Sequence, residues 1–117
     1  MNVLVILNDP PYGTERTYNG LRLAVNLLSK TQDLALTVFL MGDAVAAAKT
    51  GQQTPNGYYN LERMVKGVVT RKGRVLLCGT CMDARGMTIG DVVEGSRRST
   101  LDELTELTAT AEKVLVF

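Results

Sequence analysis

The chain has no histidine and no tryptophan, and only two cysteines among its 117 residues. Without histidine, no step can use an imidazole as acid, base or metal ligand. A structural zinc site wants four ligands, and the one Cys-x-x-Cys pair, Cys78 and Cys81, offers two. No metal and no cofactor is expected. Aromatic residues make up only 5%, with two phenylalanines, so a core here must be built mainly from Leu, Val and Ala. Excess charge of either sign is also missing. The net charge is +1, whereas a nucleic-acid footprint needs a basic face or stripe. The pairs Arg71-Lys72 and Arg97-Arg98 read as solvated surface. No apolar run approaches the roughly 20 residues of a membrane span. Residues 1–8 carry no basic leader region, and their apolar run stops at Asn8-Asp9-Pro10-Pro11. A cytoplasmic protein without membrane association is expected. The glycines form neither GxGxxG nor a P-loop, so nucleotide binding has no support.

What is present is one domain's worth of alternating apolar strands and amphipathic helices. Residues 3–7 form a continuous apolar strand. Residues 9–13, Asp-Pro-Pro-Tyr-Gly, break regular structure, and Thr14 opens a helix with Glu15 in its first turn. Leu21, Ala24, Val25 and Leu28 give that helix one apolar face. Residues 34–41 are a second strand, 44–49 a short helix, and 50–57 a polar, mobile loop. Leu61, Met64, Val65, Val68 and Val69 mark the next helix, with Gly73 as its left-handed cap. Residues 75–77 are a third strand and 80–85 a short helix. The stretch 87–98 is ambiguous, with Val92 and Val93 as an edge-strand option. Thr100-Leu101-Asp102-Glu103 has the capping-box pattern. Leu101, Leu104, Leu107 and Ala111 form the buried stripe of the last helix, and residues 114–117 a final strand.

Strands apolar on both faces, alternating with helices, call for a parallel sheet covered on each side. The fold class expected is a three-layer α/β/α sandwich with four to five mainly parallel strands, flavodoxin-like. Ligands in such sheets bind beyond the carboxyl ends of the strands. If the first and third strands are neighbours, the loop with Asp9, Tyr12, Thr14 and Glu15 shares a crevice with Cys78, Gly79, Thr80 and Cys81. The alternative for the first loop is a turn and helix cap with Tyr12 packed over it. Tyr58 and Tyr59 read as packing or interface residues.

Both cysteines lie where an apolar strand gives way to a helix. A free thiol has a pKa of about 8.5, and helix N–H groups favour its reactive thiolate form. Gly79, Thr80 and Cys81 supply candidate N–H donors, and Thr80 a hydroxyl. Arg85, seven residues beyond Cys78, sits too far along a helix to be its direct partner. A bridge between residues three apart restricts the unfolded chain little, so a structural staple is a weak reading. Three options remain: an inert core cysteine, thiol group transfer, and dithiol redox chemistry. Against thioredoxin-type redox, no proline follows Thr80.

Several segments taken together resemble the DsrE/DsrF-like family, which includes TusD-type sulfur-relay subunits and YchN-like proteins. They are the apolar first strand, Asp9-Pro-Pro-Tyr12-Gly13-Thr14-Glu15-Arg16 with Asn19-Gly-Leu-Arg-Leu-Ala, Val-Leu-Leu-Cys78-Gly-Thr-Cys81 with Arg85-Gly86, Glu94-Gly95-Ser96, and Lys113-Val-Leu-Val-Phe117. The resemblance runs over nearly the whole length. It implies an α/β/α sandwich that assembles into homo-trimers or homo-hexamers. It also implies a cysteine, matched by Cys78, that accepts sulfane sulfur as a persulfide from a donor protein and passes it to an acceptor. Cys81 is additional relative to TusD-type members and familiar among YchN-like ones. It is a candidate resolving thiol. On this basis the expected function is a sulfurtransferase-like sulfur carrier. The alternatives are a non-catalytic oligomeric binding protein and a dithiol redox protein using Cys78 and Cys81.

Overall fold

The computed structural model describes the backbone of residues 1–117 and the surroundings of every residue but Gly57. Its elements are β1 (Asn2–Leu7), α1 (Arg16–Lys30), β2 (Ala35–Leu40), α2 (Leu61–Thr70), β3 (Arg74–Cys78), α3 (Gly79–Ala84), β4 (Ser96–Ser99), α4 (Leu101–Thr110) and β5 (Lys113–Val116). Short 3₁₀ turns occupy Gly42–Ala48, Pro55–Gly57 and Ile89–Asp91. No described helix is long and apolar enough to cross a membrane.

All strand pairs are parallel, in the order β4-β3-β2-β1-β5. The expected three-layer α/β architecture is present. Parallel crossovers are right-handed. The chain steps from β1 through β4 in one direction, so α1, α2 and α3 cover one face. The return from β4 to β5 reverses direction and puts α4 on the other. Side chains alternate accordingly. Val5, Leu7, Val38, Leu40, Val75 and Leu77 pack under α1 and α2 with Leu21, Ala24, Leu61, Val65 and Val68. Leu4, Ile6, Phe39 and Leu76 pack against Leu104 of α4. Each fully buried Leu or Val contributes about 1.5–3 kcal/mol, so these two clusters hold the sheet between its helices.

Several expectations shift. β2 lies between β1 and β3, so the neighbour relation needed for a shared Asp9–Cys78 crevice is absent. The edge strand is the polar Ser96-Arg97-Arg98-Ser99, while Val92 makes an isolated antiparallel bridge to Lys49. A charged edge is a protection against sheet-to-sheet pairing. Helix α1 starts at Arg16, one residue past Glu15, whose side chain makes no cap. Lys72, not Gly73, takes the left-handed conformation after α2, at φ 67°. Gly73 is needed for space instead. A Cβ there would stand 2.7 Å from Val68 Cγ1 and 2.8 Å from Leu28 Cδ1. The loop 50–57 is pinned at Gln52, whose side-chain amide donates to the Ala47 and Lys49 carbonyls at 2.9 and 2.8 Å. Only half of the capping box forms: Thr100 accepts the Glu103 N–H at 3.1 Å, but the Glu103 carboxylate turns to Arg97 and Ser99. Leu101 is 69% exposed and lies outside the buried stripe.

Candidate functional site

β3 ends at Cys78 and α3 begins at Gly79 with no loop between. Cys78 shares the strand face of Leu76, two residues earlier, and therefore points toward the α4 side. It is half-buried and occupies the N-cap position of α3. Its Sγ accepts the Cys81 N–H at 3.3 Å and lies 3.3 Å from the Thr80 hydroxyl. Burial pushes the Cys78 thiol up. The hydrogen bonds from the Cys81 thiol, the Thr80 hydroxyl and the backbone N–H groups of both residues outweigh it, and hold Cys78 below the ordinary thiol range. These donors favour the thiolate because each aims positive charge at the sulfur.

Cys81 moves the opposite way. Burial and its bond to Cys78 push its thiol up, against the Gly42 N–H and the charge of Arg85. Its Sγ accepts the Gly42 N–H at 3.2 Å. Gly42 begins the turn after β2 with φ 57°, a backbone conformation that costs glycine little. Arg85 ties that turn to α3. Its guanidinium donates to the Cys81 carbonyl at 2.9 Å and to the Asp43 carboxylate at 2.7 and 2.9 Å. Two thiols three residues apart are thus set to opposite tendencies, Cys78 toward the anion and Cys81 toward the neutral form.

On the α4 side, Cys78 forms part of the wall of a cavity of about 170 Å³, together with Phe39, Met41, Thr80, Leu101 and Leu104. Gly79, Arg98, Ser99 and Thr100 complete it. Arg98 pairs in register with Leu77 and reaches across α3 to hold Asp83 through two bonds of 2.7 and 2.8 Å. Its guanidinium passes so close to Gly79 that a Cβ there would stand 2.7 Å from Arg98 Cζ. A side chain at 79 would therefore push the Arg98 guanidinium aside. A larger, open depression of about 540 Å³ runs along α1 beside Asn19, Arg22 and Met64. It contains neither thiol.

Of the residues singled out from the sequence, the structure brings together Cys78, Gly79, Thr80 and Cys81. Asp9, Tyr12, Thr14 and Glu15 do not line the cavity. The Asp9 carboxylate accepts from the Thr14 hydroxyl at 3.3 Å and pairs with Arg16 at 3.4 Å. The Asp9 carbonyl accepts the buried Thr17 hydroxyl at 2.7 Å. The Tyr12 hydroxyl donates to Gln52 and accepts the Leu61 N–H at 3.3 Å. These are turn and cap contacts. Sequence reasoning missed Met41, Gly42 and Asp43. Consecutive parallel strands are usually neighbours, and that rule places the turn after β2 beside Cys78. It also missed Arg98, Ser99 and Thr100, because a strand of two arginines between serines carries no apolar signal.

Comparison with known proteins agrees with this fold. The sequence profile of the DsrE/DsrF-like family matches residues 1–117. Protein YchN of Escherichia coli is 39% identical over 98% of this chain and 97% of its own length. The uncharacterized protein MJ0989 of Methanocaldococcus jannaschii is 31% identical over the full length of both chains. The crystal structure of the E. coli YchN protein superposes with a TM-score of 0.94 at 38% identity, covering 100% of this chain and 99% of that one. MTH1491 of Methanobacterium thermoautotrophicum, a protein of unknown function, shares the fold at a TM-score of 0.78 and 15% identity, over 99% and 97% of the two chains. The chain belongs to the DsrE/DsrF-like family.

Proposed function

We propose that the protein is a sulfur carrier that accepts sulfane sulfur on Cys78 and hands it on. The observation that carries this reading is the setting of Cys78 Sγ. It is half-buried at a strand end, bonded by the Cys81 N–H and beside the Thr80 hydroxyl at 3.3 Å each, with its thiol held below the ordinary range. In the loading step the Cys78 thiolate attacks the outer sulfur of a donor persulfide, R–S–SH. The donor S–S bond breaks as the Cys78 S–S bond forms, and the donor leaves as the thiolate RS⁻. In the delivery step an acceptor thiolate takes the outer sulfur and Cys78 leaves as thiolate. Alternatively, the Cys81 thiolate attacks Cys78 Sγ, forming a disulfide and releasing hydrosulfide. The Cys81 N–H bonded to Cys78 Sγ at 3.3 Å keeps the second cysteine beside the first and supports that second exit. Both routes call for thiols kept reduced, as in the cytoplasm.

The same reading includes self-association into trimers or hexamers. The exposed rings of Tyr58 and Tyr59, clustered with the half-buried Tyr18 at centroid distances of 5.3 and 4.5 Å, support it. Sedimentation showing only monomer at micromolar concentration would remove that part.

The test is intact-mass spectrometry after brief exposure to a persulfide donor, on wild type, Cys78→Ser and Cys81→Ser. A gain of one sulfur atom that survives in Cys81→Ser and disappears in Cys78→Ser is the expected result. Loss of two hydrogens in wild type, with no sulfur gained by Cys81→Ser, would instead mean dithiol redox chemistry. No mass change where a control thiol is modified would leave a non-catalytic binding protein.

A further inference from the structure

Resting on the carrier reading, we infer that the cavity beside Cys78 is a recognition pocket for the carbon chain of a small organic persulfide, and that such a molecule is a direct sulfur donor. Sulfur passed from a protein needs only a reachable thiolate. Here the thiolate forms one wall of a concave, mostly apolar space floored by Phe39, Met41 and Leu104. Protein interiors are close-packed, and voids beyond the size of a water are few. A space of about 170 Å³ is comparable to the roughly 150 Å³ apolar cavity known to bind benzene. It therefore suits about six heavy atoms, a short alkyl chain and its sulfurs.

Leu101 gives a second, independent observation. It falls in the apolar spacing of α4 yet is 69% exposed, and it contributes to this cavity rather than to the core. The chemistry also fits the place. The Cys78 thiolate takes the outer sulfur of R–S–SH, the donor S–S bond breaks, and RS⁻ leaves while R remains in the cavity. The leaving thiolate gains negative charge beside the Thr80 hydroxyl and the Arg98 guanidinium, which also belong to the wall. No oxidant or reductant is consumed.

The experiment compares two donors on Cys81→Ser protein, n-propyl persulfide and inorganic tetrasulfide, with loading rates read by intact mass. The readout is the rate ratio of alkyl to inorganic donor, measured also with Leu104→Phe, which fills the cavity, and Leu101→Asp, which makes its mouth polar. The ratio should fall about ten-fold in Leu104→Phe, in line with the loss of one hydrophobic subsite, and in the same direction in Leu101→Asp. The propyl donor should also saturate with concentration. An unchanged ratio in both variants would overturn the inference and leave the carrier reading intact. Should Leu104→Phe not fold, Leu101→Asp decides alone, because that position is exposed. Loading only from a persulfidated protein would likewise overturn the pocket assignment. Failure of both donors and of any protein donor to load wild type would overturn the carrier reading itself.

Discussion

The turns after β1 and after β3 start from the same place in the fold. Each follows an apolar parallel strand, leads into a helix, and lies at the carboxyl end of the sheet where ligands of such folds collect. They use that place differently. After β1, Asp9, Thr14, Arg16 and Thr17 bond to one another, and Tyr12 is tied to Gln52 and Leu61. Its polar groups are consumed in holding the turn. After β3 there is no turn to hold, because Gly79 is already helical. The N–H and hydroxyl donors that would have closed a loop are aimed at a sulfur atom instead. Position in the topology makes a site available. Hydrogen-bonding capacity left over beside a thiol is what sets the second place apart from the first.

The strongest way to break this contrast is to damage the first turn and look for an effect on the second. Thr17 is fully buried and its hydroxyl donates to the Asp9 carbonyl at 2.7 Å. Thr17→Val leaves that carbonyl unpaired in place of a bonded one, which costs about 1–3 kcal/mol. Urea unfolding should record the loss, while the alkylation rate of Cys78 by iodoacetamide at pH 7 stays as in wild type. A slowed thiol would mean that the two turns form one site after all.

Next in size is the effect of removing a donor at the second turn. In wild type, with each thiol followed by peptide mass mapping, the alkylation of Cys78 should reach half its plateau below the pH of an ordinary thiol and that of Cys81 above it. Thr80→Val removes the hydroxyl 3.3 Å from Cys78 Sγ. One hydrogen bond is worth about 1 kcal/mol, so alkylation at pH 7 should slow about five-fold and the inflection should move up. Equal inflections for the two thiols would contradict the opposite settings described above.

Much of this contrast was legible in the residues. Strands β1, β2 and β3 announce themselves as unbroken apolar runs because both sheet faces are covered. Cys78 was placed at a strand end by the same signal. The partner of that strand end was not. Residues 9–15 look more like a site than residues 41–43 do, since Asp, Tyr, Thr and Glu carry obvious chemistry. Gly42 acts through its backbone N–H, which no residue type advertises. Strand β4 was hidden for a related reason. An edge strand needs to bury little of either face, and Ser96 and Ser99, one on each face, do so without an apolar side chain. Leu101 misled in the other direction: its spacing fits the core, but the helix begins there and the residue overhangs a cavity.

The smallest expected effect concerns how the two regions respond to acid. The β1 turn is held partly by the buried bond from the Thr17 hydroxyl to a carbonyl, which does not titrate. The α4 wall of the thiol cavity is held by an ionised group. Arg97 and the Ser99 hydroxyl hold the Glu103 carboxyl down to about 2, against the opposing effect of burial. A carboxyl whose folded pKa is depressed binds fewer protons than the unfolded chain between the two values. Its contribution is therefore complete above the unfolded value of about 4.3 and is lost as pH falls toward about 2. Arg97 is half exposed, which limits the gain to about 1 kcal/mol. Glu103→Gln should therefore destabilise the protein by that amount at pH 7 in urea unfolding, and the gap to wild type should narrow as pH falls from about 4 toward 3. The gap caused by Thr17→Val should stay constant over the same range. If both gaps narrow together, acid is acting on the whole fold, and the distinction between an ionic wall and a neutral turn fails.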